Sequence, residues 1–147
     1  MTVKLITFTI MKIFLVRHGD FDIDSLTLNQ TRRNQALKVA KQIRKSTLNN
    51  RVRIYCSFGP RSIETAKIIA RVLGCKNLPD GLYGDKYKES VNELQIKAKQ
   101  AFDQLKPSQK ATIIVSKGEF LLELSKLYMN GPTKKQPKGS LLVIKRS

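Results

Sequence analysis

Apolar runs of strand length alternate along this chain with helix-length stretches patterned at 3.6 residues. That alternation predicts an α/β fold: a three-layer sandwich with a mostly parallel central sheet flanked by helices. Two observations strengthen the expectation. The runs at 12–16 (KIFLV) and 111–116 (ATIIVS) are apolar almost throughout, as strands covered on both faces are. The chain has 147 residues, 41% hydrophobic and 27% charged, which suits one domain with a core that needs no disulfide or metal staple.

The elements follow in order. In residues 1–11, Ile6, Phe8 and Ile10 alternate with Thr7 and Thr9, the pattern of a half-buried strand. This segment is either an extra strand or, if translation begins at Met11, an N-terminal extension, with 12–147 forming a single domain. The apolar stretch is short for a bilayer span and lacks a small-residue cleavage site, so no membrane association is expected and the cytoplasm is the expected location.

Residues 12–16 form the first core strand, and polar, acidic residues 17–28 form a loop. From 29 to 46, Ala36, Val39, Ala40 and Ile43 share one helical face while Lys38, Lys41 and Lys45 occupy another. Residues 52–56 are a second strand. Pro60 opens a helix, where its missing N–H costs nothing, and Gly74 stops it. Pro79, Gly81 and Gly84 mark 75–85 as a loop. Tyr87, Val91, Leu94, Ala98, Phe102 and Leu105 make a third helical stripe. After the strand at 111–116, Phe120, Leu121, Leu124, Leu127 and Tyr128 make a fourth. Residues 131–139 read as a basic loop, and 141–144 as a closing strand.

The charge balance is lopsided: 28 Lys and Arg against 11 Asp and Glu, a net +17. Such a surface attracts anions and speeds their encounter. Phosphorylated small molecules, phosphoproteins and nucleic acid all fit that description. Nucleic acid has the least support, because no recognised nucleic-acid motif is present and aromatic residues for stacking make up only 7%. Cys56 and Cys75 form no C-x-x-C pair, and the chain has one histidine, so neither a His/Cys zinc site nor another metal site is indicated. Two free thiols suit a reducing compartment.

In parallel α/β folds, ligands bind beyond the carboxyl ends of the strands. Three such ends carry reactive or anion-binding residues. At the first stand Arg17, His18 and Gly19. A neutral imidazole can attack phosphorus, a neighbouring guanidinium can grip phosphate oxygens in bidentate fashion, and glycine lets the backbone approach the ligand. At the second, Arg61 falls in the first turn of a helix, where free amides and the helix dipole favour an anion. At the third are Ser116, Lys117, Gly118 and Glu119.

These residues carry a family resemblance. KIFLVRHGD resembles the Arg-His-Gly signature of the histidine phosphatase (phosphoglycerate-mutase-like) superfamily. SFGPRSIETA is similar to its second block, in which Ser is followed four positions later by Arg and then by Thr-Ala. LNQTRRNQA resembles its first-helix pattern at Leu28, Gln35 and Ala36. KGSLLVI resembles the closing strand of the small phosphohistidine-phosphatase (SixA-type) branch. The blocks keep their order from Lys12 nearly to the end of the chain. The resemblance implies a phosphatase with no cofactor. His18 would be the nucleophile, with Arg17, Arg61 and Gly19 at the phosphate and Asp85 as general acid; Glu119, near Lys117, is a second candidate for that role. The substrate would be a phosphohistidine protein or a small phosphorylated molecule. Mutase activity fits less well, because the insertions that enclose a sugar-phosphate acid are missing.

Three departures bear on activity. Lys117 stands where the family carries its second histidine; it can bind phosphate as a point charge but lacks imidazole geometry. Gln30, Thr31 and Arg32 replace the first-helix glycine region. Asp20 and Asp22 occupy the loop where the family has Thr or Asn. Two enzyme-site readings follow: a working phosphatase, or a catalytically weak phosphate-binding relative.

Overall fold

Strand β1 (Met11–Arg17) shows how the chain divides its apolar residues between two layers. Successive strand side chains point to opposite faces. Ile13 and Leu15 accordingly enter one core, and Phe14 and Val16 enter the other; all four are at most 1% exposed. This is a computed structural model, and it describes residues 11–18, 30–47, 52–75, 80–81, 89–105, 111–129 and 134–146.

The described elements run β1, α1 (Gln30–Ser46), β2 (Val52–Cys56), α2 (Pro60–Leu73), β3 (Asp80–Gly81), α3 (Val91–Gln104), β4 (Ala111–Ser116), α4 (Gly118–Met129) and β5 (Leu141–Arg146). They form one five-stranded sheet in the order β3-β2-β4-β1-β5. β1, β2, β3 and β4 are mutually parallel, and only β5 runs antiparallel, along the outer side of β1. α1 and α2 pack together on one face, α3 and α4 on the other. This is the mostly parallel sandwich that the alternating pattern predicts.

On the α1–α2 side, Val39, Ala40, Ile43, Ala66 and Ile69 close over Phe14, Val16, Ile113 and Val115. The lysines of α1 stay outside. On the α3–α4 side, Leu94, Ala98, Ala101, Phe120, Leu121 and Leu124 cover Ile13, Leu15, Ile114 and Ile144. Each large side chain buried in these layers contributes about 1.5–3 kcal/mol.

The helix ends follow local chemistry. Pro60 is in the first turn of α2, and Gly74 closes that helix in the left-handed conformation (φ 70°). There the Gly74 amide donates to the Arg71 carbonyl and the Cys75 amide to the Ala70 carbonyl.

Several expectations need correction. Residues 75–85 are not all loop: Asp80 and Gly81 add a two-residue edge strand beside Tyr55 and Cys56, too short to leave any periodicity in the sequence. α3 begins at Val91, because the Ser90 hydroxyl caps it by accepting from the Glu93 amide (3.1 Å). Val91, in the exposed first turn, is therefore 61% exposed rather than core. Leu105 is buried but lies just past the end of α3. Leu127 is 38% exposed on the outer side of α4. The alternating segment at 6–10 lies outside the described residues, as does Tyr87.

Candidate functional site

The carboxyl ends of β2, β4 and β1 lie side by side, and backbone hydrogen bonds continue past the strands themselves. The Ser57 amide donates to the Val115 carbonyl (3.1 Å), the His18 amide to the Ser116 carbonyl (3.2 Å) and the Arg17 amide to the Ser140 carbonyl (3.0 Å). His18 is thus held at the sheet edge, and only 9% of it is exposed. Arg17 pairs with Ser116, so Lys117 directly follows the end of β4 as His18 follows the end of β1.

Arg17 is half-buried, and its guanidinium Nη1 donates to the backbone carbonyl of Gln136. Gln136 is itself buried, and its Nε2 donates to the Leu15 carbonyl (3.0 Å). The segment read simply as a basic loop therefore contains a buried amide that clamps it to β1. Gly118 makes the arrangement compact: a Cβ there would lie 2.8 Å from Arg17 Nε and 3.0 Å from Lys135 Cγ. Glycine at the start of α4 admits the guanidinium.

Arg61 is half-buried in the first turn of α2. The turn before it is fixed by a buried hydrogen bond from the Ser57 hydroxyl to Ser62 Oγ (2.7 Å). Gly59, at the helix N-cap, brings no side-chain cap to the first-turn amides. Local geometry here suits an anion. Behind it, Thr65 is 3% exposed, and its Oγ1, like Gln35 Oε1, has no hydrogen-bond partner among the described residues. Both side chains line a small cavity with Val16, Arg17, Arg32 and Gly139, with room for about one water.

Sequence reasoning named Lys117 but missed the residues that hold it. Its Nζ donates to Glu89 Oε1, while Lys97 Nζ donates to Glu89 Oε2 at 2.5 Å. The Glu89 side chain is fully buried, and those of Lys117 and Lys97 are 17% and 21% exposed. Burial works to raise the Glu89 pKa, but hydrogen bonds and charge from Lys117 and Lys97 outweigh it and hold the carboxylate below its ordinary value. The Ser90-x-x-Glu93 capping signature places Glu89 just before a helix start, yet only tertiary contact connects it to Lys117.

Glu119 accepts from Lys135 Nζ (2.8 Å), with both side chains nearly half exposed. Burial pushes its pKa up; Lys135, the helix-start backbone and Arg17 push harder in the other direction. The ionised form is favoured, the opposite of what a resting proton donor needs. Gly19 and Asp85 lie outside the described residues. Among the described residues, no three His, Cys, Asp or Glu side chains group as metal ligands, and no helix is long and apolar enough to cross a membrane. Cys56 and Cys75 are not in disulfides, and burial raises the Cys75 pKa.

No family model matches the chain, and no curated protein matches it in sequence. Solved structures do match in shape. A phosphoglycerate mutase from Bacillus anthracis superposes with TM-score 0.69 at 13% identity, covering 94% of this chain and 88% of that one. The phosphoglycerate mutase of Plasmodium falciparum gives 0.62 at 22% identity, covering 85% and 72%. A mycobacterial glucosyl-3-phosphoglycerate phosphatase complexed with VO3 gives 0.65 at 13% identity, covering 90% and 92%. The chain has the phosphoglycerate-mutase-like fold. That is the architecture implied by the Arg-His-Gly resemblance to the histidine phosphatase superfamily.

Proposed function

We propose that this chain is a phosphatase working through a phosphohistidine intermediate on His18, with residues 12–147 as the working domain and 1–11, of which Met11 extends β1, as an addition to it. The observation that carries this reading is the placement of His18, buried at the carboxyl edge of the sheet and bonded through its backbone to β4, with Arg17 preceding it and Lys117 on the neighbouring strand end.

In the first step a neutral imidazole nitrogen attacks phosphorus, the bond from phosphorus to the leaving group breaks, and the leaving group takes up a proton. Water then attacks the phosphohistidine, releasing inorganic phosphate and restoring His18. Arg17, Arg61, Lys117 and the Gly19 backbone hold the phosphoryl oxygens and stabilise the charge that spreads over them in transfer. Asp85 or Glu119 supplies the leaving group's proton, and the ion pair of Glu119 with Lys135 favours Asp85 for that part. A phosphohistidine substrate, whose leaving imidazole needs less help than an alkoxide, relaxes the demand for an acid. Phosphohistidine proteins therefore lead the substrate classes, with small phosphorylated molecules next. Thiols outside disulfides at Cys56 and Cys75 accord with a cytoplasmic setting.

The engagement of Lys117 with Glu89 supports a second reading, a site that binds phosphate and turns over slowly. One experiment separates the two: hydrolysis of p-nitrophenyl phosphate and of a phosphohistidine peptide by the wild type and His18→Ala. Turnover that falls by a factor of about 10³ or more in the variant, with the fold intact, supports the phosphatase. Phosphate affinity without turnover in either protein establishes the binder.

A further inference from the structure

A lysine that replaces a ring must be held still to do a ring's work. Its four-carbon stem has many rotamers, and its ammonium is a point charge with no fixed plane. Lys117 is held. Its ammonium donates to a carboxylate that is itself out of solvent. That carboxylate is fixed from two sides. Its other oxygen receives Lys97 from α3, and its backbone immediately precedes the Ser90 cap of the same helix. α3 is anchored in turn by Leu94, Ala98 and Ala101 in the core it shares with α4.

Charge decides what such a clamp can do. A lone Lys117–Glu89 pair would be neutral and would offer little to a phosphoryl group. Two lysines share that one carboxylate, so Glu89 by itself does not neutralise both. Glu89 can then fix Lys117 without cancelling its pull on an anion.

We propose that Glu89 is the positioning residue of this site, holding Lys117 as a fixed phosphate-binding cation beside His18, with Lys97 supplying the charge that keeps the cluster positive. The proposal rests on the phosphatase reading only as far as phosphate binding; it stands equally for a slow or inactive enzyme. Glu89 acts through Lys117 and touches no reacting atom.

The test pairs two readouts in Glu89→Gln, Glu89→Asp and Lys97→Met. Inorganic phosphate and orthovanadate affinities come from calorimetry, and the mobility of the Lys117 ammonium from lysine Nζ NMR. Glu89→Gln is expected to release the Lys117 ammonium into fast exchange and to weaken phosphate about tenfold, raising KM more than it lowers kcat if the wild type turns over. Glu89→Asp, which keeps the charge, is expected to recover part of that loss and covers the case where the amide variant folds poorly. Lys97→Met is expected to weaken phosphate while leaving Lys117 ordered. Phosphate binding that is unchanged or tighter in Glu89→Gln, with Lys117 freed, overturns the proposal and makes Glu89 a blocking or purely structural group. A wild type that binds no phosphate defeats the functional reading as well, so the two failures are told apart by which protein shows them.

Discussion

Two lysine–carboxylate pairs flank the start of α4, and they are not equivalent. Lys117 and Glu89 meet below the surface, where the carboxylate is fully covered; Lys135 and Glu119 meet a few residues away with nearly half of each side chain in water. In both, the carboxylate pKa lies below its ordinary value, and in both, burial opposes that shift and lysine contact wins. The same direction has different weight. In water the attraction is screened and holding two long side chains costs entropy; under cover, removing one partner strands the other's charge. Position relative to solvent makes one pair a clamp and the other a surface contact.

That difference can be broken first at Glu89. Glu89→Ala leaves Lys117 and Lys97 without their shared carboxylate. It is expected to destabilise the protein by about 2 kcal/mol, less than a sealed pair would lose because both lysines can reach water. Urea denaturation checks it.

Acid probes the same contrast without mutation. A carboxylate with a lowered folded-state pKa adds stability above its unfolded value of about 4.3, and that contribution disappears as pH falls through the lower folded value. Wild type is expected to lose melting temperature steeply from about pH 5 downward. Glu89→Gln should lose less over that window, while Glu119→Gln should track wild type closely. Parallel curves for wild type and Glu89→Gln would mean that the buried pair has no linkage to folding.

Gly118→Ala sharpens the comparison from the Arg17 side. Its methyl meets the guanidinium that donates to the Gln136 carbonyl, and the guanidinium must shift. A cost of about 1 kcal/mol is expected, together with weaker phosphate binding, measured by denaturation and calorimetry. Lys135→Ala, the smallest change, is expected to move stability by less than about 0.5 kcal/mol, and a larger loss would place the exposed pair in a network.

How much of this was legible in the sequence depended on the range of the contacts involved. Helix α1 was readable nearly to the residue, since Ala36, Val39, Ala40 and Ile43 advertise one face by local spacing, and all four are buried. β1 and β4 were readable because a strand covered on both sides is apolar almost throughout. The Arg17-His18 end could be located because strand-then-reactive-residue is a local pattern. Glu89 could not. It sits in a charged stretch with no period, and its meaning lies in Lys117, which is distant in sequence. Gln136 was hidden for the same reason, as a polar residue in a polar loop whose burial comes from β1. The Ser90 cap was a missed local signal, overridden by extending the apolar stripe back to Tyr87.

The placement of β1 has a consequence for how the protein is made. Ile13 lies between Thr112 on one side and Ile144 on the other. Both strands that frame His18 are synthesised well after it. Pairings so distant along the chain are slow to form, because loop-closure entropy is lost before contacts repay it. A nascent chain halted before β4 lacks Ile113 and Val115, against which α1 and α2 pack, and holds no complete candidate site. The candidate site is therefore completed late, as β4 and then β5 close around a strand that has waited for them.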